Sequence, residues 1–414
     1  MDDSLKYFLE NTRVAASAME SRLTHPITRL RYPKRLVYDR LEKYANDFLM
    51  SGAEPRFVSL AGLRGVGKTT LLWQAAHYIY THRHKAVYFF NVNTLTNLGI
   101  SLQLALEEFQ RHILQKRFHE LSEPITLLFD EVHDDPYWSK TLKILYDEAG
   151  TAFILCTGSS ALLLNSTADL SRRMYIQKVY PFSFSELLHI QKEMHPEAGI
   201  VSPDLPLEAQ LKDLLFFSAN EVALVSGLTR LSPTIQAVLS QKNLVIDQLQ
   251  EQYINFLNFP NFLFFKDEII ITHSILDLFK RIIHEDIQKL QPAFSDVTKI
   301  ERLLLRLAGS DEINPEKLAG IIGVKQKDIH ELIDILSKAE LLHVLHPYGG
   351  LDTKLIKNKK AFFMSPSLRR ALLTTLYGQI LPETFKSKLI EDIVVMCLKR
   401  VQTDGVISFV SGSN

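Results

Sequence analysis

Phe57-Val58-Ser59-Leu60-Ala61-Gly62-Leu63-Arg64-Gly65-Val66-Gly67-Lys68-Thr69-Thr70-Leu71-Leu72 is the stretch on which the fold turns. An apolar run precedes the spacing Gly-x4-Gly-Lys-Thr and helix formers follow it, so the pattern lies between a strand and a helix. Glycines at 62, 65 and 67 permit positive φ and close backbone approach, so successive N–H groups can converge on one anion. A helix opening at Lys68 adds its unpaired N–H groups and positive dipole end. A polyphosphate is expected there, surrounded by Gly62, Arg64, Gly65, Val66, Gly67, Lys68, Thr69 and Thr70. The Lys68 ammonium would meet its β/γ-phosphates and the Thr69 hydroxyl its Mg2+.

Downstream, Ala86–Val92 is too apolar for a half-exposed strand and suits a parallel sheet covered on both faces. Leu102, Leu104, Ala105, Phe109 and Ile113 predict one helical stripe. Ile125–Phe129 reads as a strand ending in Asp130-Glu131, and a helix over 138–148 leads to a buried strand, Ala152–Cys156, that closes in Thr157-Gly158-Ser159. A last strand is expected over Met174–Val179. Strands alternating with helices, with polar residues at strand ends, define an α/β fold with a parallel sheet and a site on its carboxyl edge.

Before this core, residues 1–52 suggest a helical collar, in which Arg29, Arg31, Lys34 and Arg35 either face solvent or approach the nucleotide base or a partner. The core itself spans residues 53–181. Residues 182–295 read as helices broken at Pro203, Pro206, Pro233 and Pro260, a helical lid. Residues 296–360 predict a winged helix: Asn314-Pro315 start a helix that stops at Gly323, Ile329, Leu332, Ile333 and Leu336 line a second, and Leu341–Leu345 turns at Tyr348-Gly349-Gly350. Lys354, Lys357, Lys359 and Lys360 lie on the return, so DNA or RNA binding stands beside a structural or protein-docking role. In the tail, residues 361–414, a helix is expected with Leu389, Ile390, Ile393, Val394, Cys397 and Leu398 on one side.

Composition narrows the classes. In 414 residues, Lys+Arg and Asp+Glu balance at 47 each, so no global field marks a nucleic-acid or membrane binder. No run approaches about 18 uncharged apolar residues, and the start lacks a leader pattern. Two cysteines, Cys156 and Cys397, provide neither a disulfide framework nor a zinc site, and a reducing cytoplasmic location is expected. Among 14 histidines, His82 and His84 fall in a basic turn and read as solvated.

In-line attack of water on a γ-phosphate needs charge stabilisation, a metal and a group that orients the water. Lys68 with Mg2+ held by Thr69 and Asp130 would meet the first two needs, and Glu131 is placed to polarise the water. Thr157 or Ser159 would either sense the γ-phosphate or cap the strand end. Arg172 and Arg173 would reach a neighbouring subunit's γ-phosphate or form a surface pair.

The runs Thr157-Gly158-Ser159-Ser160-Ala161-Leu162, Ala168-Asp169-Leu170-Ser171-Arg172-Arg173 and Tyr180-Pro181-Phe182-Ser183-Phe184-Ser185-Glu186-Leu187 resemble a family of prokaryotic AAA-type ATPases. That family joins a P-loop domain and a winged helix to a C-terminal restriction-endonuclease-like domain. The resemblance covers roughly residues 50–400. It implies Arg173 as the matching arginine, with Arg172 standing where many relatives have Gly, and puts Glu391 at the leading acid of the nuclease-like domain. The later Asp and Glu-x-Lys of that domain have no counterpart before Asn414, so intrinsic nuclease activity is not expected of these residues.

The expectation is therefore an Mg2+-dependent ATPase whose nucleotide state moves lid and winged helix and regulates a partner or a nucleic-acid-directed activity. Its alternative is a switch that assembles as a homo-oligomer on ATP binding with little turnover. A small-molecule kinase would need neither the Asp-Glu strand tip nor the long extensions. No Asn-Lys-x-Asp string is present, which leans the base preference to adenine.

Overall fold

Three runs that are buried at every position, β1 (Phe57–Ala61), β3 (Ile125–Asp130) and β4 (Ala152–Gly158), occupy the middle of a parallel sheet. β2 (Val87–Asn91) and β5 (Tyr175–Lys178) complete it in the order β2-β3-β4-β1-β5. This is an α/β fold of the P-loop type, seen in a computed structural model that describes residues 3–159, 170, 172–200, 205–239, 244–287, 296–350, 358–401 and 407–410. Ser160–Leu162, Ala168, Asp169, Ser171, Pro203, Lys354, Lys357, Ser411 and Gly412 lie outside the described residues.

The chain forms two compact units. The first comprises Met1–Tyr180, Ile282–Ser295 and Lys338–Glu340. Its helices are α1 (Asp3–Glu10), α2 (Ala16–Leu23), α3 (Tyr38–Ser51), α4 (Lys68–His82), α5 (Val92–Asn97), α6 (Leu102–Phe109) and α7 (Trp138–Glu148). The α6 stripe is Leu102, Ala105, Leu106 and Phe109, at i, i+3, i+4, i+7; Leu104, expected inside, is 43% exposed. Phe109 meets Phe90 edge-on at 5.1 Å, and Phe90 stacks on Phe129 at 5.2 Å, so the core runs from α6 across β2 to β3.

Two local features of this unit, the pairing of residues 12–14 and the burial of His84, were not expected; the burial of Cys156 was. Residues 12–14 pair antiparallel with the β2 edge: Arg13 bridges Tyr88, Val14 N–H donates to Val87 O at 3.0 Å and Phe89 N–H to Thr12 O at 2.8 Å. His84 is half-buried, a ring nitrogen 3.2 Å from the Thr126 hydroxyl, and burial lowers its pKa; it is not a solvated surface residue. Cys156 is fully buried, and desolvation pushes its thiol up to about 12. Among the described residues no group of three metal-binding side chains occurs, and no helix is long and apolar enough to cross a membrane.

The second unit comprises Pro181–Arg281, Asp296–Ser337 and Leu341–Asn414. It opens with α8 (Phe184–Met194), α9 (Leu205–Phe217), α10 (Glu221–Leu239), α11 (Leu244–Asn255) and α12 (Glu268–Arg281). Of the expected proline breaks, Pro233 lies inside α10 and Pro206 in the first turn of α9, where its missing N–H is harmless. Then follow α13 (Val297–Gly309), β6 (Glu312–Ile313), α14 (Pro315–Ile322), α15 (Gln326–Lys338), β7 (Leu342–Pro347) and β8 (Lys359–Phe363). Asn314 caps α14 through Lys317 N–H, and Gly323 ends it at φ +76°.

β8 pairs antiparallel with both β6 and β7, so Ala361, Phe362 and Phe363, read from sequence as the start of the tail, belong to this sheet. The chain continues through α16 (Pro366–Tyr377) and α17 (Lys386–Val401) to β9 (Ser408–Phe409), which returns to β7. The buried face of α17 is Leu389, Asp392, Val395 and Met396, whereas Ile390 and Val394 are exposed, contrary to the expected stripe. Asp392 explains the rotation. Its carboxylate takes Arg369 Nε at 2.6 Å and Nη2 at 2.8 Å, with Phe363 N–H at 2.8 Å, and Arg369 also reaches Asp311 at 2.8 Å.

Candidate functional site

Parallel register brings three strand ends to one level. Leu60 faces Thr157 and Ala61 faces Gly158, while Phe129 faces Cys156, which sets Asp130 beside Thr157. The loop after β1 therefore starts level with Ser159, and the acidic pair at the end of β3 lies on the other side of β4, two strands from that loop.

In that loop Gly65 and Gly67 have φ of +82° and +90°, which only glycine adopts cheaply. Gly62 has another reason to be glycine: a Cβ there would collide with Val179 O. Lys68 is buried, its ammonium donating to Gly62 O at 2.9 Å and Leu63 O at 3.0 Å. α4 begins directly after Gly67 without a side-chain cap, so its first N–H groups are available to an anion. Thr70 follows in the first turn of α4, half-buried. Arg64 points its guanidinium at Glu285, 2.7 Å away in the π-helical segment Ile282–Ile287.

Thr69 Oγ1 lies 3.1 and 3.2 Å from the two carboxylate oxygens of Asp130. Both side chains offer hard oxygen, the donor type that Mg2+ selects, and one hydroxyl plus one carboxylate leaves room for phosphate oxygens and water. The residues fit that ion. Burial raises the Asp130 carboxyl above the usual range, opposed by the Thr157 hydroxyl and reinforced by the charge of Glu131.

Thr157 joins the two acids. Its hydroxyl donates to Asp130 Oδ1 at 2.5 Å and accepts Glu131 N–H at 2.9 Å. Glu131 itself sits at φ 54°, ψ 49°, a left-handed conformation that costs a non-glycine residue about 1 kcal/mol or more and is typical of functional positions. Its side chain is partly exposed, with Oε2 3.4 Å from Nδ1 of His133, a buried residue that the sequence reading missed. Ser159 N–H also approaches that Nδ1 at 3.4 Å, and Ser159 Oγ is buried with no hydrogen-bond partner among the described residues.

Lys68, Thr69, Asp130, Glu131, Thr157 and Ser159 are thus gathered at one edge, and Arg173 is not among them. Tyr175 pairs with Val58, so Arg173 lies beyond the amino end of β1, roughly 20 Å of strand from Gly62. There it pairs with Asp147 at 2.8 Å. Arg172 is exposed.

Arg35 is the second residue that sequence reasoning undervalued. Of the four early basic residues, Arg29, Arg31 and Lys34 are exposed or partly so, whereas Arg35 is 7% exposed and donates to Val66 O at 2.6 Å and Tyr180 O at 2.8 Å. Nothing in the local pattern separates it from its neighbours.

Beyond Tyr180, residues of the run that carries the family resemblance after β5 have structural partners inside the second unit. Ser183 caps α8 through Glu186 N–H, Phe182 O accepts the Tyr253 hydroxyl at 2.9 Å, and buried Glu186 holds Arg400 at 2.6 Å. Glu391 is exposed; the acid of α17 turned inward is Asp392.

Residues 54–188 match the family described as an AAA domain, and residues 250–376 match a domain of unknown function, DUF8612. An uncharacterised protein of Methanocaldococcus jannaschii, MJ1637, is 30% identical over 369 residues, 88% of this chain and 72% of that protein. The chain belongs to the same family as that protein. Solved structures similar to it include the RuvB Holliday junction branch migration motor of Thermotoga maritima, at 17% identity, 75% of this chain, 92% of that one and a TM-score of 0.32. Aeropyrum pernix Orc1 in complex with DNA is 12% identical, with 89% and 98% coverage and a TM-score of 0.36.

Proposed function

We propose that this member of the MJ1637 family is a magnesium-dependent ATPase. The observation that carries the reading is the contact of Thr69 Oγ1 with Asp130 at 3.1 Å, which puts the hydroxyl after the loop lysine beside the acid of a strand two places away. A triphosphate on the N–H groups of Gly65–Thr69 would have its β/γ oxygens at Lys68, with Thr69 and Asp130 holding Mg2+. The ion, when bound, neutralises charge developing on the phosphate oxygens. Glu131 would orient the attacking water, Thr157 would hold Glu131 and Asp130 in register, and the buried Ser159 hydroxyl would sense the γ-phosphate.

Nucleotide state would then move the second unit, in which α8–α12 would act as a lid and residues 296–363 as a winged helix. The order helix, strand, helix, helix, hairpin and the Lys325, Lys327, Lys359 and Lys360 side chains support that reading and a DNA or RNA contact. A second reading, assembly on ATP with little turnover, is favoured by Arg173, whose place at the amino end of the sheet suits a neighbouring copy's phosphate and not its own.

Nucleotide binding and turnover, measured with and without DNA and RNA, test the proposal. Lys68→Ala is expected to lose nucleotide affinity, and Glu131→Gln to keep it while slowing hydrolysis by at least ~100-fold. Equal affinity in wild type and Lys68→Ala would contradict the assigned loop. Turnover no faster than that of Glu131→Gln, with a larger particle in ATP, would favour the switch.

A further inference from the structure

We infer that Arg35 is a positioning residue that sets the phosphate loop and joins it to the chain leaving β5, so that a triphosphate bound at the loop is felt at Tyr180. The inference rests on the nucleotide reading and adds a part to it.

Arg35 is buried and forked between two carbonyls, Val66 O at 2.6 Å and Tyr180 O at 2.8 Å. In a trans peptide the C=O and the following N–H point in opposite directions. A charged donor fixed on Val66 O therefore fixes the aim of the Gly67 N–H. That control matters at Gly67, where φ is +90° and no Cβ restricts the backbone. Lys68 does the same for the start of the loop through Gly62 O and Leu63 O. One cation thus braces each side of the nest.

The other arm of the fork reaches the exit. Val179 N–H donates to Ala61 O at 2.7 Å, and Gly62 packs so closely on Val179 O that a side chain is excluded. Tyr180 is the last residue of the first unit before Pro181 begins the second. Loop and exit are therefore joined by a backbone bond, a close backbone contact and a guanidinium. A phosphate that draws the Gly67 N–H toward itself turns the same peptide whose carbonyl Arg35 holds. Lysine cannot replace this: its ammonium is a point charge on a flexible stem, without a planar fork for two acceptors at once. The permanent positive charge behind the loop also favours an anion in front of it.

Hydrogen exchange on the full chain, with and without a non-hydrolysable ATP analogue and Mg2+, tests this alongside affinity. In the wild type, nucleotide should slow exchange both in residues 62–72 and in residues 175–182. Arg35→Lys should bind about 10- to 100-fold more weakly, as for loss of a charge-assisted hydrogen bond. At saturation it should protect the loop but leave 175–182 as without nucleotide. Arg35→Lys with wild-type affinity and wild-type protection of 175–182 would overturn the inference alone. So would wild type whose loop is protected while 175–182 is unchanged, a result that depends on no variant folding. Absence of any binding or protection in wild type would remove the nucleotide reading, and the inference with it.

Discussion

The Thr157 hydroxyl donates to Asp130 Oδ1 at 2.5 Å and at the same time accepts the N–H of the residue that follows that acid. One side chain on β4 therefore sets the carboxylate proposed for the metal and the backbone of the residue proposed for the water. Thr157→Val keeps the shape and removes both bonds. Turnover is expected to fall by about 10-fold or more, with the Mg2+ concentration for half-maximal rate rising and ATP affinity little changed. Steady-state kinetics over a magnesium series checks this; an unchanged rate would make the threonine a mere strand end.

Gly62→Ala is expected to destabilise the first unit by about 1–3 kcal/mol, the range for forcing a methyl into a filled space. The added carbon would meet Val179 O, which is backbone and cannot swing away. Urea unfolding of wild type and variant reads the difference. Gly150→Ala, where nothing lies within reach of a Cβ, is the control and should shift the midpoint far less.

His84 contributes a pH dependence. Burial lowers its pKa below the ordinary 6.5, so the folded chain keeps it neutral while the unfolded chain takes a proton. The unfolded state binds more protons in the window just below 6.5, hence stability from this residue is present above that pH and is lost as pH falls through it. Thermal unfolding between about pH 7 and 5.5 should drop less for His84→Gln than for wild type. Parallel curves would show that the ring is solvated.

In the second unit, adjacent acids should differ sharply. Asp392→Ala leaves the fully buried Arg369 with half of its charge partners and is expected to cost about 3–5 kcal/mol. Glu391→Ala, on the exposed face, should stay within about 0.5 kcal/mol. Chemical denaturation separates them, and similar costs would mean that α17 presents a different face.

How much of this was legible beforehand depends on the range of the interaction. The strands announced themselves because β1, β3 and β4 are mostly apolar runs, and the loop because Gly-x4-Gly-Lys-Thr is a local pattern. Asn314 and Gly323 marked the ends of α14 for the same reason. His133 was invisible as a site residue and Arg35 stood only as one of four basic residues, since their partners Ser159 and Tyr180 are distant in the chain and nothing local distinguishes a buried arginine from its solvated neighbours. The face of α17 was misjudged because hydrophobicity was counted without the buried Arg369, which draws an acid inward and turns apolar Ile390 and Val394 outward.

Residues 12–14, laid along β2, have a consequence for the handling of this protein. A sheet whose outer strand ends in open amides invites another chain to add itself, and the apolar Val87 and Phe89 would make such stacking stick. The short N-terminal ribbon occupies that rim. Trimming the chain past Val14 would uncover it, turning a segment remote from the phosphate loop into the guard against aggregation.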